Sequence, residues 1–180
     1  GVVNLNQGNY AQALGYLQKA LPIFEAIDDK SAIAETLNNI GNVNRAQGNY
    51  VQALEYYQKA VSIRELIGDK PGLAAVLGSI GNVQLLQGDY TQALECFQKV
   101  LSVFESIGDM TKLAAVLNNI GLVHGYQGNY TQAIEYYQKA IPIREATNDK
   151  RGLATTLNNV GLAQLLQGNY AQALDYYQKA

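Results

Sequence analysis

Asparagine side chains recur in this sequence at positions where their amides could recognise a peptide. Adjacent asparagines occupy residues 38–39, 118–119 and 158–159, and single asparagines stand at Asn42 and Asn82. An asparagine inside a helix costs roughly 0.5–0.7 kcal/mol relative to alanine, so eight of them forgo about 4–5 kcal/mol. An amide offers a donor and an acceptor, which match the N–H and C=O of an extended peptide. The pattern therefore favours peptide binding; alternatively, these amides bond neighbouring helices, or recent duplication copied them.

Catalytic chemistry has few candidate residues. His124 is the only histidine and Cys96 the only cysteine. A Cys–His pair can supply a nucleophile and its base, but no third group is evident that would orient the pair. Cys96 also stands where sister segments carry tyrosine, and the carboxylates occur singly, without the clustering of metal ligands. We therefore predict that the protein is not an enzyme and has no metal or cofactor.

Charge and composition exclude several partner classes. The 180 residues include 13 Lys and Arg against 15 Asp and Glu, a net charge of −2. Nucleic acid is not an expected partner, because a phosphate-binding surface needs a clustered excess of basic residues. The sequence contains no run of about 18 apolar residues, so no membrane-spanning helix is expected. A single cysteine excludes an internal disulfide framework and fits a reducing compartment, so we expect a cytoplasmic protein.

A period of 40 residues organises the chain. Gly-Asn-Tyr or Gly-Asp-Tyr begins at residues 8, 48, 88, 128 and 168, and a second glycine recurs at 1, 41, 81, 121 and 161. Within each period, two apolar stripes with three-and-four spacing predict two helices. The turn glycine is expected to end one helix in the left-handed conformation, and Asn49 and Asp69 are expected to cap the helices that follow them. No segment alternates with period two, so no sheet is expected.

The motif Leu-x-x-Ile-Gly, then Gly-Asn-Tyr, then Ala, Tyr and Ala at spacings of three to four, resembles the tetratricopeptide repeat. Its 40-residue unit is similar to repeats of kinesin light chains, LGN-type adaptors and bacterial regulatory proteins. The resemblance implies an all-α fold, a right-handed α-solenoid of antiparallel pairs with about nine to ten helices. It implies one array over residues 1–180: a half unit at 1–27, units at about 31–67, 71–107 and 111–147, and a last unit at 151–180, truncated in its second helix.

The resemblance also implies that the first helix of each pair lines a groove for a protein or peptide partner. The residues that it assigns to this groove are Asn38, Asn39, Asn42, Arg45, Asn82, Asn118, Asn119, Leu122, Tyr126, Asn158, Asn159 and Leu162. Their spacing independently places those of one helix on one face. Arg45 is the only basic residue among them, so the groove is not expected to hold the C-terminal carboxylate of a partner protein. We predict a scaffold that binds an extended peptide through an asparagine ladder and apolar groove residues.

Two features leave alternatives open. Asn42 and Asn82 give way to Leu122 and Leu162 at the same repeat position, and this apolar patch is either an interaction site or a surface covered by a further helix. Uncapped solenoid ends expose the face meant for a neighbour, so end-to-end or swapped homo-oligomers are expected. Rival functions are therefore an architectural, self-assembling spacer and the sensory arm of a larger signalling protein.

Overall fold

The computed structural model describes residues 9–180, and this part of the chain consists of nine helices and no strand. The helices are α1 (Tyr10–Ala26), α2 (Lys30–Ala46), α3 (Tyr50–Leu66), α4 (Lys70–Leu86), α5 (Tyr90–Ile107), α6 (Met110–Tyr126), α7 (Tyr130–Ala146), α8 (Lys150–Leu166) and α9 (Tyr170–Lys179). The predicted all-α fold is confirmed. None of these helices is long and apolar enough to cross a membrane.

The helix ends follow from the turn residues. Gly48 adopts the left-handed conformation at φ 79°, as do the other turn glycines of the described chain, and Asn148 takes the same conformation at φ 54°. Asp69 accepts a hydrogen bond from the Gly72 backbone N–H at 2.9 Å, which confirms the predicted carboxylate cap. Asn49 occupies the predicted N-cap position of α3, but its side chain makes no capping hydrogen bond.

The helices α1–α4 belong to a first compact unit, which ends at Gln87. Each of these helices packs on the next, and α2 also contacts α4. Ala53, Tyr57 and Ala60 are fully buried in the core between them. At Gly41, an added Cβ would lie 2.5 Å from Cε1 of Tyr57, so only glycine lets the tyrosine ring approach the α2 backbone this closely.

The helices α5–α9 belong to a second compact unit, residues 88–180, which repeats this packing. Its core contains Ala133, Tyr137 and Val160, and Tyr137 lies against Gly121 as Tyr57 lies against Gly41. Here α6 contacts α8. Each unit therefore places two of its first helices side by side, α2 with α4 and α6 with α8. These pairs carry the residues predicted to bind a partner.

Candidate functional site

An apolar cavity of about 140 Å³ lies between α6 and α8 in the second unit. Four of the predicted residues line it together: Leu122, Tyr126, Asn159 and Leu162. Two of its walls stand open to solvent, since Tyr126 is 65% exposed and Leu162 is 49% exposed. The cavity has the form of a small site in which apolar side chains surround a few polar groups. We call the surface formed by Asn119, Leu122, Tyr126, Asn158, Asn159 and Leu162 the α6–α8 face.

Tyr137 of α7 lines the same cavity, a role that the sequence pattern did not reveal. The residue is only 3% exposed. Its hydroxyl lies beside Gly125, where an added Cβ would be 3.8 Å from the oxygen. Burial raises the pKa of Tyr137 well above its usual range, and the neighbouring Tyr126 adds to the rise, so the group remains a neutral hydroxyl. Within the described part of the chain, the structure gives this hydroxyl no hydrogen-bond partner, and it is available to a ligand in the cavity.

The asparagines of the second unit divide into buried and exposed groups. Asn118 is 6% exposed, and its Oδ1 accepts hydrogen bonds from Thr156 Oγ1 at 3.2 Å and from Asn159 Nδ2 at 3.1 Å. For Asn118 the structure thus supports the alternative that the amide bonds a neighbouring helix. Asn159 uses its N–H group in this contact, which leaves its carbonyl oxygen for the cavity. Asn158 is exposed and Asn119 is half-buried, so both remain accessible.

In the first unit the corresponding network is incomplete. Asn38 has a buried Oδ1 with no hydrogen-bond partner. Val76 and Ser79 of α4 stand where α8 carries Thr156 and Asn159, and valine has no donor. The hydroxyl of Ser79 donates instead to the carbonyl of its own helix at Ala75, at 3.2 Å. The same asparagine position is therefore satisfied in one unit and unsatisfied in the other.

The remaining predicted residues of the first unit form a polar surface, which we call the α2–α4 face: Asn38, Asn39, Asn42, Arg45 and Asn82, all half-buried. The Tyr57 hydroxyl donates to Asn42 Oδ1 at 2.9 Å. Burial raises the pKa of Tyr57, and the nearby charge of Arg45 opposes that rise. Tyr57 and Tyr137 occupy equivalent positions, but Tyr57 has internal partners. The two units therefore share a scaffold and differ at this site.

The two candidates for covalent chemistry lack the environment of an activated pair. His124 stacks on the ring of Tyr136 at 5.4 Å, its Nδ1 is buried without a partner, and burial lowers the pKa of the imidazole. Burial raises the pKa of the Cys96 thiol, whereas a reactive cysteine needs a lowered one. Among residues 9–180, no three His, Cys, Asp or Glu side chains are grouped so that they could hold a metal ion.

Sequence reasoning missed an ion pair that fixes the start of α8. Arg144, at the end of α7, bonds Asp149, the N-cap of α8, and the Arg144 side chain is 8% exposed. The guanidinium lies where a Cβ at Gly152 would overlap it. Arg64, Asp69 and Gly72 repeat the arrangement. The sequence does contain a signal for this ion pair. Arg64 and Arg144 are each followed eight residues later by glycine, whereas Phe24 and Phe104, at the same repeat position, are followed by alanine and lysine.

Comparisons with known proteins agree with this fold. The sequence profile described as Tetratricopeptide repeat matches residues 1–65, 32–106 and 112–180. BtubC (BKLC) from P. vanneervenii has a similar structure, with a TM-score of 0.86 and 18% identity over 97% of this chain and 73% of that chain. The signal transduction ATPase PH0952 from Pyrococcus horikoshii, described with a tetratricopeptide repeat sensor, gives a TM-score of 0.90 and 22% identity.

That comparison covers 99% of this chain but only 27% of the ATPase. The nearly identical repeats named for a kinesin light chain, from Podosopora anserina, give a TM-score of 0.80 and 14% identity over 97% of this chain and 86% of that chain. No curated protein sequence matches the chain. Because the identities to these structures are below 25%, they support the fold alone, which confirms the expected α-solenoid of tetratricopeptide type.

Proposed function

Because the chain belongs to the tetratricopeptide repeat family, whose repeats imply a protein-interaction scaffold, we propose that it binds an extended peptide on the α6–α8 face and catalyses no reaction. One observation carries the proposal: an open apolar cavity lies beside amide groups that the fold leaves accessible. Apolar area supplies affinity, and amides fix the direction and register of a peptide backbone.

The geometry suits an extended chain rather than a helix. Successive side chains of an extended peptide point to opposite sides, so one apolar side chain can enter the cavity while its neighbours point away. The peptide N–H and C=O groups between them then meet the amides of Asn119, Asn158 and Asn159. Asn118 supports this arrangement from below, because its oxygen holds the Asn159 amide at 3.1 Å.

The α2–α4 face offers a different surface. It presents the amides of Asn42 and Asn82 and the guanidinium of Arg45 where the second unit presents two leucines and a glycine. We propose that this face contacts polar or acidic residues of a partner, with Asn39, Asn42 and Asn82 as hydrogen-bonding groups. Loss of the Arg45 charge would then weaken binding at low ionic strength more than at high ionic strength.

The sensory arm of a larger signalling protein is a related role. The observation that favours it is the tetratricopeptide repeat sensor of the Pyrococcus horikoshii ATPase, to which this chain is similar. In such a protein the α6–α8 face would bind the signal, so the two roles share the same site. The third candidate, a self-assembling spacer, needs no ligand on this face.

Selection from a phage-displayed library of random peptides tests the proposal. Selected peptides should lose affinity at least ten-fold for the Leu162→Asn and Asn158→Ala variants. Leu162→Asn installs the residue that Asn82 provides at the equivalent position, so the fold should tolerate it. Gln138→Ala, an exposed substitution on α7, is the matched control and should leave affinity unchanged.

Equal binding of the selected peptides to wild type and to Leu162→Asn would refute the proposed site. Light scattering of the same samples separates the spacer role from peptide binding. A mass that rises with concentration, together with no selectable peptide, would favour self-assembly.

A further inference from the structure

The cavity of the α6–α8 face has a chemical preference of its own. Resting on the proposed function, we propose that it selects a phenol, the side chain of a tyrosine in the bound peptide. Three features of the molecule support this preference: the size of the cavity, the polar groups inside it and the difference between the two units.

The size fits a single aromatic ring. The cavity measures about 140 Å³, close to the ~150 Å³ of an apolar protein cavity that binds benzene. Leu122, Leu162 and Leu166 provide aliphatic walls, and Tyr126 provides an aromatic one. A methyl-sized side chain would leave most of this space unfilled.

The polar groups fit a hydroxyl. Tyr137 lines the cavity, and its hydroxyl has no partner in the described residues, so it can donate. Asn159 lines the same cavity, and its Oδ1 can accept because Asn118 engages only its N–H group. A phenol hydroxyl both donates and accepts, so it can satisfy the two groups together. A phenyl ring would cover the Tyr137 hydroxyl and the Asn159 oxygen without giving either a hydrogen-bond partner, which is unfavourable.

In the first unit, the same scaffold has different residues around the equivalent tyrosine. There Asn42 replaces Leu122 and accepts the tyrosine hydrogen bond at 2.9 Å. Arg45 replaces Gly125, the residue beside the Tyr137 hydroxyl. The tyrosine of the first unit is therefore satisfied internally. Three changes in the second unit, to leucine at 122 and 162 and to glycine at 125, free the hydroxyl and make its surroundings apolar.

Titration with p-cresol and toluene tests the preference without a peptide. Both ligands present the same ring and methyl group, and only p-cresol carries the hydroxyl. We expect p-cresol to bind three- to ten-fold more tightly than toluene, the effect of satisfied hydrogen bonds, with the largest NMR shifts at the Gly125 and Leu162 amides. Tyr137→Phe should reduce the preference to less than two-fold. Phe97 occupies the equivalent buried position in α5, so phenylalanine is compatible with the fold.

Leu122→Asn is the matched second variant. It gives Tyr137 the internal partner that Asn42 gives Tyr57, and it should weaken p-cresol binding while leaving the far-ultraviolet circular dichroism unchanged. Equal binding of the two ligands, no binding of either, or a preference that persists in Tyr137→Phe would overturn the inference.

The outcomes for the inference and for the proposed function are separable. Peptides that bind the α6–α8 face equally well with tyrosine, phenylalanine or leucine would leave the proposed function intact and overturn the phenol preference. Conversely, a clear p-cresol preference without any selectable peptide would support the cavity chemistry and contradict peptide binding.

Discussion

Completing the hydrogen-bond network around Asn38 should stabilise the first unit. The buried Oδ1 of Asn38 has no partner, whereas Oδ1 of Asn118 accepts two hydrogen bonds from α8. The substitution Ser79→Asn places an amide where Asn159 stands in the second unit. Val76→Thr adds the hydroxyl that Thr156 provides there. Both changes copy residues that the same chain already uses at the equivalent positions.

The expected gain follows from the cost of the unsatisfied oxygen. A buried acceptor without a partner costs about 1–3 kcal/mol, and a new hydrogen bond returns about 0.5–1.5 kcal/mol. Serine and asparagine have similar helix propensities, so the backbone contribution nearly cancels. We expect Ser79→Asn to raise the free energy of unfolding by about 1 kcal/mol. Val76→Thr should add less, because the equivalent hydroxyl of Thr156 also lies 3.0 Å from the Gly152 carbonyl and has one hydrogen to donate.

Urea unfolding followed by circular dichroism measures the effect, and a double-mutant cycle assigns it. In an Asn38→Ala background the stabilisation by Ser79→Asn should vanish, because the acceptor is gone. The mirror substitution Asn159→Ser should destabilise the second unit by about 1 kcal/mol. If Ser79→Asn stabilises the chain equally with and without Asn38, the unsatisfied oxygen is not the cause and the reasoning fails.

Three further predictions concern the helix junctions and pH. Gly152→Ala should lower the urea midpoint of unfolding, because the added methyl group displaces the Arg144 guanidinium from Asp149; adding Arg144→Phe, which reproduces the combination of Phe24 with Ala32, should restore most of the loss, and no recovery would contradict the ion-pair explanation. Asn129 caps α7 without a side-chain hydrogen bond, so Asn129→Asp should raise thermal stability by about 0.5–1 kcal/mol at pH 7 and lose this gain below about pH 4. Burial lowers the pKa of His124, so the unfolded chain binds a proton first as the pH falls; stability should therefore decrease below about pH 6.5, and His124→Gln should abolish this part of the decrease in urea titrations between pH 7 and 5.

The helices were predictable because their signals are local. The turn glycines and the aspartate caps act through backbone geometry within a few residues, so the sequence alone indicates where each helix begins and ends. The close contact of Gly41 with Tyr57 was also predictable, because a period of 40 residues repeats a small residue opposite a large one. Asn49 shows the limit of local reasoning: its residue type suits a cap, yet its side chain makes no capping bond.

For the candidate site, the sequence could predict the helix face that carries it but not which side chains on that face are exposed. Helical spacing places Asn118 and Asn158 at the same position of successive repeats, but one is 6% exposed and the other is exposed. The difference arises from the next helix, where Thr156 and Asn159 supply donors to Asn118. Such a difference depends on contacts about 40 residues apart, and the spacing within one helix carries no information about it. For the same reason, Tyr137 could be assigned to packing from the sequence but not to a cavity.

Comparison of the two units separates the scaffold from the site. Residues that both units share, such as the glycine–tyrosine contact, make the close packing of the helices possible and cannot distinguish one ligand from another. The positions that differ carry the chemistry: Asn42 accepts the hydrogen bond of one tyrosine hydroxyl, while Leu122 at the equivalent position leaves the other without a protein partner. In the second unit the Tyr137 hydroxyl has no protein partner and the leucines expose apolar surface, so this region lacks internal contacts that the first unit makes. The second unit keeps the unpartnered hydroxyl and the exposed leucines, although the first unit shows that the same scaffold can avoid them. Such departures from local stability rules are expected where a ligand restores the missing contacts.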